Sequence, residues 1–175
     1  SMLKHGYDLS RLVVVDNGSS DDTAEYLKAL PLGGLILNKS NLGCGVAWNQ
    51  GALHQQAEWT IVMNNDLLFH PGWAEALIGT AVRQGLKVIS PALVEGQLDY
   101  DYDSFAQMAQ SKMHDVLRTP AAHAVCLCIH RSAFEEVGYF RATPSLLGFE
   151  DAIFFNDLKA RQIARGISGS AWLHH

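Results

Sequence analysis

Carboxylates stand at three places in this chain where a ligand could meet them. Asp16 ends the run VVVD, and the polar turn Asn17-Gly18-Ser19 follows it. Asn64-Asn65-Asp66 follows the apolar run WTIVM. Glu150-Asp151 opens a long stretch with amphipathic spacing. Each place has an ordinary structural explanation. Asn and Asp are common turn residues, and acids in a first helical turn are favoured by the dipole by about 0.3–1 kcal/mol. Each also has a chemical one. A carboxylate directly after a buried strand can bind a hard cation. If the segment stays extended, Asn64 and Asp66 point to one side and can address the same metal or ribose. An ionised carboxylate at a helix N-terminus can accept a proton, so Glu150-Asp151 can supply a general base. The same dipole makes that base weak, and the leaving group must then carry most of the activation. A metal on a diphosphate would supply it.

A fourth stretch, NLGCGVAWNQG (residues 41 to 51), is a glycine-bearing turn leading into a helix. Such a turn can bring backbone N–H groups near phosphate. Asn49 lies inside the helix and either caps a loop or reaches a ligand. Cys126 and Cys128 alternate on an apolar run and face one side, as small buried hydrophobes or as a C-x-C metal site. With Cys44 they make three cysteines, an odd number without framework spacing, which fits reduced thiols in a cytosolic setting.

The elements that must position these residues follow from the apolar pattern. Strands are expected at Arg11 to Val15, Gly34 to Leu37, Trp59 to Met63, Lys87 to Ser90 (stopped by Pro91) and Ala124 to His130. Helices are expected at Asp21 to Leu30, Cys44 to Ala57, Gly72 to Gln84, Ser132 to Val137 and Asp151 to Arg165, the last ending at Gly166. Ser19 or Ser20 is the expected cap of the first helix. In the third, Trp73, Leu77 and Ala81 recur at i, i+4, i+8. Residues 95 to 120, with the acidic tract DYDYD, resist assignment. That tract reads as a solvated loop or as a calcium site. Strands alternating with helices argue for one α/β domain over residues 1 to 175, with a mainly parallel central sheet. In such a sheet ligands bind beyond the carboxyl ends of the strands, where the three acidic sites fall.

Composition bounds the partners. Of 175 residues, 48% are hydrophobic and 18% charged, a globular balance, and the formal net charge is −5. With no Lys/Arg-rich block, the chain is not expected to bind nucleic acid. No apolar run reaches membrane-spanning length.

Taken in order, VVVDNGSSDDT, NLGCGVAWNQG, MNNDLLFHPGW, CLCIHRSAFEEVGYF and GFEDAIFFNDLKARQ resemble family 2 glycosyltransferases of the GT-A fold, from about Leu12 to His175. Within that family the order is most similar to the rhamnosyltransferase-like enzymes of bacterial surface polysaccharide synthesis. The resemblance implies a Rossmann-like three-layer sandwich. It matches Asp16 to the aspartate that binds the nucleotide base, with Asn17 and Ser19 in the same loop. It matches Asn41, Gly43 and Asn49 to the segment lining the nucleotide and sugar side of the cleft. Asn64-Asn65-Asp66 matches the DXD-like motif, with Asp66 as ligand to Mn²⁺ or Mg²⁺. His175, with His174 as the alternative, matches a histidine that completes the metal site; two terminal histidines are also what an affinity tag leaves. Asp151 matches the general base, with Glu150 beside it. The implied reaction is inverting transfer from a UDP- or dTDP-linked sugar to a saccharide or lipid-linked saccharide acceptor. The implied setting is cytoplasmic, with peripheral association at the inner face of the membrane.

Two departures stand out. The first position of the DXD-like motif is Asn64, an amide. The N-terminal strand that family members place before VVVD, ending in a Pro-Thr-Tyr-Asn-like turn, has no match, and SMLKHGYD reads as the tail of a helix. The expectation is a sheet truncated at its N-terminus: either the chain belongs to a longer protein, or another element or a partner such as a second copy of the chain fills the gap, or the domain has lost activity. A non-catalytic transferase-like binding module is the alternative. A nucleotidyltransferase is a third reading, but its Gly-rich loop with a basic residue near the N-terminus is not found.

Overall fold

The computed structural model describes residues 2–143 and 148–175; Ser1 of the SMLKHGYD stretch lies outside them. Two β-sheets carry the fold. β1 (Val13–Asp16) and β2 (Gly34–Leu37) pair in parallel, with Asp16 opposite Leu37. The larger sheet has the order β3 (Trp59–Met63), β7 (Cys126–His130), β5 (Val88–Val94), β8 (Arg165–His174), β4 (Leu68–Phe69), and β6 (Leu117–Arg118) also pairs with β8. It is mixed: the long β5–β8 ladder is parallel, while β7 runs against both β3 and β5.

Strand alternation divides the core into two faces. On one face Cys126, Cys128 and Ile89 pack with Trp73, Leu77 and Ala81 of α3 (Trp73–Gln84). On the other, Leu127, Ile129, Val62 and Val88 pack with Phe134 of α5 (Arg131–Val137) and with Phe154 and Leu158 of α6 (Glu150–Ala160). Trp48 of α2 (Cys44–His54) joins this second face. The result is the helix–sheet–helix sandwich the sequence implies. The i, i+4, i+8 stripe of α3 is buried as expected, with Leu77 and Ala81 wholly inside. Burying one such leucine contributes about 2 kcal/mol. Cys126 and Cys128 do share a side; burial pushes the Cys128 thiol up to about 12 and raises Cys126 as well. Neither offers a thiolate, so both are apolar core residues.

Several expected boundaries move. Pro91 does not stop its strand. β5 continues to Val94, and the ladder to β8 shifts register between Pro91 and Ala92, where an irregularity tolerates the missing N–H. α6 ends at Ala160, and Arg165 and Gly166 pair with Val88 and Ile89 instead of extending the helix. The unassigned tract contains α4 (Tyr102–Met113), capped by Asp101, whose Oδ1 accepts from the Ser104 N–H at 2.8 Å. Most of DYDYD is therefore a helix start, with Tyr102 buried. The first helix, α1 (Thr23–Lys28), has Asp22 at its N-cap position, with no side-chain capping bond, so neither Ser19 nor Ser20 caps it. Ser19 serves Asp16 instead.

Among the described residues no backbone pairing joins β1–β2 to the larger sheet. α2 nevertheless packs on β1, β2 and β3 together. One helix thus bridges the two sheets, and among the described residues the second edges of β1 and β3 have no strand partner. The three valines of β1 remain only partly buried, although β-branched residues in this setting normally fill a core.

Candidate active site

Asp16 is the last residue of β1 and is buried at 7% exposure. Its Oδ1 accepts from the Ser19 N–H at 3.0 Å and from the Ser19 hydroxyl at 2.5 Å. The turn therefore orients the carboxylate at the strand's end. Asn17 ties this turn to the segment before α2. Its Nδ2 donates to Asn41 Oδ1 at 3.1 Å and to the Gly43 carbonyl at 3.2 Å, while its Oδ1 accepts from Asn38 Nδ2 at 2.9 Å. Asn38 and Gln50 exchange a reciprocal pair of amide bonds at 2.8 and 3.0 Å. Asn41 Oδ1 also accepts from the Gly43 N–H at 2.9 Å. Asp16, Asn17, Ser19, Asn41 and Gly43 thus form one rigid polar patch. Asn38 directly follows β2 and Gln50 lies inside α2; only the fold brings Gln50 to Asn38 and Asn38 to Asn17.

The acidic pair reaches this patch through glycine. Gly43 caps α2 at φ 88°, a conformation unfavourable for other residues. A Cβ on Gly45 would stand 3.0 Å from Glu150 Cβ, so the bare backbone lets α6 dock against the start of α2. Glu150 is buried there and raises the Cys44 thiol, after desolvation, through its charge. Asp151 is more open, and its Oδ1 accepts from the Ala152 N–H at 2.7 Å. Asn49 takes the loop role of its two readings. Its Nδ2 donates to the Phe140 carbonyl at 2.7 Å, and its Oδ1 accepts from the Phe140 N–H at 3.0 Å. With both ends of its amide engaged by Phe140, it holds the segment leading toward α6.

The second cluster surrounds Asp66. The Asn64 N–H donates to the Val125 carbonyl at 2.9 Å, and the chain then bends at Asn65 and Asp66. The expected strand alternation from Asn64 to Asp66 therefore does not hold, because the backbone leaves the sheet. Asp66 meets His175 instead: Nε2 lies 3.4 Å from Asp66 Oδ1. The choice between the two histidines is set by the strand. His174 is buried, its Nδ1 2.8 Å from Tyr100 Oη. His175 N–H donates to the Val94 carbonyl at 2.9 Å, and its carbonyl accepts from Gly96 N–H at 3.3 Å. Both histidines extend the β5–β8 ladder, and alternation turns one inward and the other to Asp66.

Among the described residues no three His, Cys, Asp or Glu side chains converge as a metal cluster. The Asp66–His175 pair still suits a divalent cation: one carboxylate and one imidazole, both reachable from solvent, are the donor types that Mn²⁺ accepts. Two protein ligands also leave coordination positions for phosphate oxygens and water.

The sequence model of the family described as "Glycosyl transferase family 2" matches residues 1–142. This chain belongs to that family. The match includes Asp16, Asn41 and Asp66; Glu150, Asp151 and His175 lie beyond it. Solved glycosyltransferases share the GT-A fold. A crystal structure of GalNAc-T7 with UDP, GalNAc and Mn²⁺ superposes with a TM-score of 0.73 at 15% identity, covering 100% of this chain and 39% of that one. The mannosyltransferase PcManGT from Pyrobaculum calidifontis, in complex with GDP-Man and Mn²⁺, gives 0.70 at 18% identity, covering 99% of this chain and 50% of that one. The chain thus spans half or less of the length of these two structures. No helix among the described residues is long and apolar enough to cross a membrane.

Proposed function

We propose that this family 2 domain transfers a sugar from a nucleoside-diphosphate donor to an acceptor hydroxyl with inversion. The observation that carries the reading is the Asp66–His175 pair, set at the end of β8 in a fold shared with solved structures that hold Mn²⁺ with UDP and GalNAc or with GDP-Man. Asp16, braced by Ser19, receives the base or ribose. Asn17, Asn41 and Gly43 shape that wall of the cleft. Asn64 and Asn65 lead the chain to Asp66 on the donor side. Asp66 and His175 hold Mn²⁺ or Mg²⁺, which when bound neutralises charge on the departing diphosphate. Asp151, exposed in the first turn of α6, accepts the proton of the acceptor hydroxyl as that oxygen attacks the anomeric carbon. Glu150, buried against α2, positions the turn that carries Asp151.

The acceptor is a saccharide or a lipid-linked saccharide of bacterial surface polysaccharide synthesis, and the enzyme works on the cytoplasmic side, at the inner face of the membrane. This part rests on the rhamnosyltransferase-like order of the motifs. The lack of a strand partner for the second edges of β1 and β3 among the described residues favours a second reading, a nucleotide-binding module without turnover. An added strand, from elsewhere in a longer chain or from a partner, would complete the sheet and restore the catalytic form. Incubation with UDP-, GDP- and dTDP-sugars, Mn²⁺ and a panel of saccharide acceptors tests both. A product of inverted anomeric configuration by NMR supports the transferase; donor binding without any product supports the module.

A further inference from the structure

We infer that Glu95 is a positioning residue for the cation site, fixing the ring of His175 so that Nε2 is presented beside Asp66. The inference rests on the donor-site reading of Asp66 and His175 proposed above. Glu95 follows β5, and its carboxylate Oε1 lies 3.7 Å from His175 Nδ1, while Asp66 Oδ1 lies 3.4 Å from Nε2. The two carboxylates therefore address opposite nitrogens of one imidazole. A neutral imidazole carries its proton on one nitrogen only. A cation at Nε2 beside Asp66 would leave the ring proton on Nδ1, the nitrogen that faces the Glu95 carboxylate.

The backbone makes this arrangement specific. The residues flanking Glu95 are the ones that bond His175: Val94 through its carbonyl at 2.9 Å and Gly96 through its N–H at 3.3 Å. Glu95 and His175 are thus held side by side in register, and the pairing does not depend on two long side chains meeting by chance. His123 is the other imidazole whose charge Glu95 and His175 sense. Its Nε2 lies 2.8 Å from the Pro91 carbonyl, and burial lowers its pKa, so it stays neutral and does not compete as a cation for Glu95. Glu95 is 70% exposed, which places the expected effect at the lower end of what such outer partners provide.

Mn²⁺ titration in the presence of UDP, on the wild-type chain and on Glu95→Gln and Glu95→Asp, tests the role. The expected result is an affinity for Mn²⁺ about tenfold weaker in Glu95→Gln, with recovery in Glu95→Asp. Long-range ¹H–¹⁵N spectra of the metal-free protein at pH 8 provide the second readout, with His175 assigned by His175→Asn. In the Asp66→Ala background, where Glu95 is the carboxylate left beside the ring, His175 should show the Nδ1–H tautomer, and adding Glu95→Gln should remove that preference with an unchanged Tm. Equal Mn²⁺ affinity in wild type and Glu95→Gln overturns the inference, as does weakened affinity with the tautomer unmoved. Absence of Mn²⁺ binding to the wild type is a different failure: it removes the donor-site reading itself.

Discussion

At the scale of single residues, Glu150 and Asp151 are neighbours in sequence with opposite surroundings. Glu150 is buried against Gly45, and Asp151 is more open with one short bond to the following N–H. Under the proposed function, the buried acid packed where α6 meets α2 positions the turn and the more accessible one takes the proton. Asp151→Asn keeps the size and the hydrogen-bonding capacity of the side chain but removes its basicity. It should leave donor affinity within about twofold while lowering kcat by about 10²–10⁴. Steady-state kinetics with separate donor titration checks this, and an unchanged kcat would remove Asp151 from the reaction. The sequence made Asp16, Asp66 and Asp151 visible because carboxylates at strand ends and helix starts are recognisable without tertiary information. It left Asn49 open between two roles, since only the fold brings Phe140 beside it. Glu95 was not singled out, because its importance lies in facing His175 across a ladder.

At the scale of elements, the site depends on how closely α6 and the loop before it approach α2. Asn49 supplies the polar side of that contact and Gly45 the steric side. Asn49→Ala removes both bonds to Phe140 and leaves its N–H without that acceptor, which should cost about 1–3 kcal/mol. A chemical denaturation series reads this directly; a loss below about 0.5 kcal/mol would mean that the bonds to Phe140 are readily replaced. Elements with strong periodicity, such as α3, were legible almost to the residue. Those governed by pairing were not. Pro91 reads as a stop, yet the parallel ladder to β8 carries β5 past it through a register shift. The amphipathic pattern after Ala160 reads as helix, yet Arg165 is needed in the sheet. The acid-rich start of α4 hides a helix because its apolar face is built from small residues, Ala106 and Ala109, with Tyr102.

At the scale of the whole molecule, the split between the two sheets is the feature the sequence anticipated and the structure displays. The motif order implied a strand before VVVD, and among the described residues the second edges of β1 and β3 have no strand partner while α2 packs on both strands. Buried His70 and half-buried His123 contribute to the molecule's response to acid. His70, with Nδ1 2.8 Å from the Pro71 carbonyl, and His123 both have lowered pKa values, chiefly through burial. Their folded pKa values lie below the ordinary 6.5, so the unfolded chain takes up protons first as pH falls. Their contribution to stability is therefore full above 6.5 and is lost progressively below it. Thermal melts from pH 7.5 to 5 should show a falling Tm, with a shallower fall in His70→Gln and His123→Gln; identical slopes in all three proteins would contradict this assignment.

The donor reading stands or falls on the pair Asp66 and His175. Calorimetric titration of the wild type and of Asp66→Ala with UDP, GDP and dTDP, each with and without Mn²⁺, measures it most directly. The predicted result is nucleotide binding by the wild type that strengthens at least tenfold with Mn²⁺, and an Asp66→Ala variant that keeps its fold but shows no Mn²⁺ enhancement. Nucleotide affinity that is the same with and without Mn²⁺, or no nucleotide binding by the wild type at all, would contradict it.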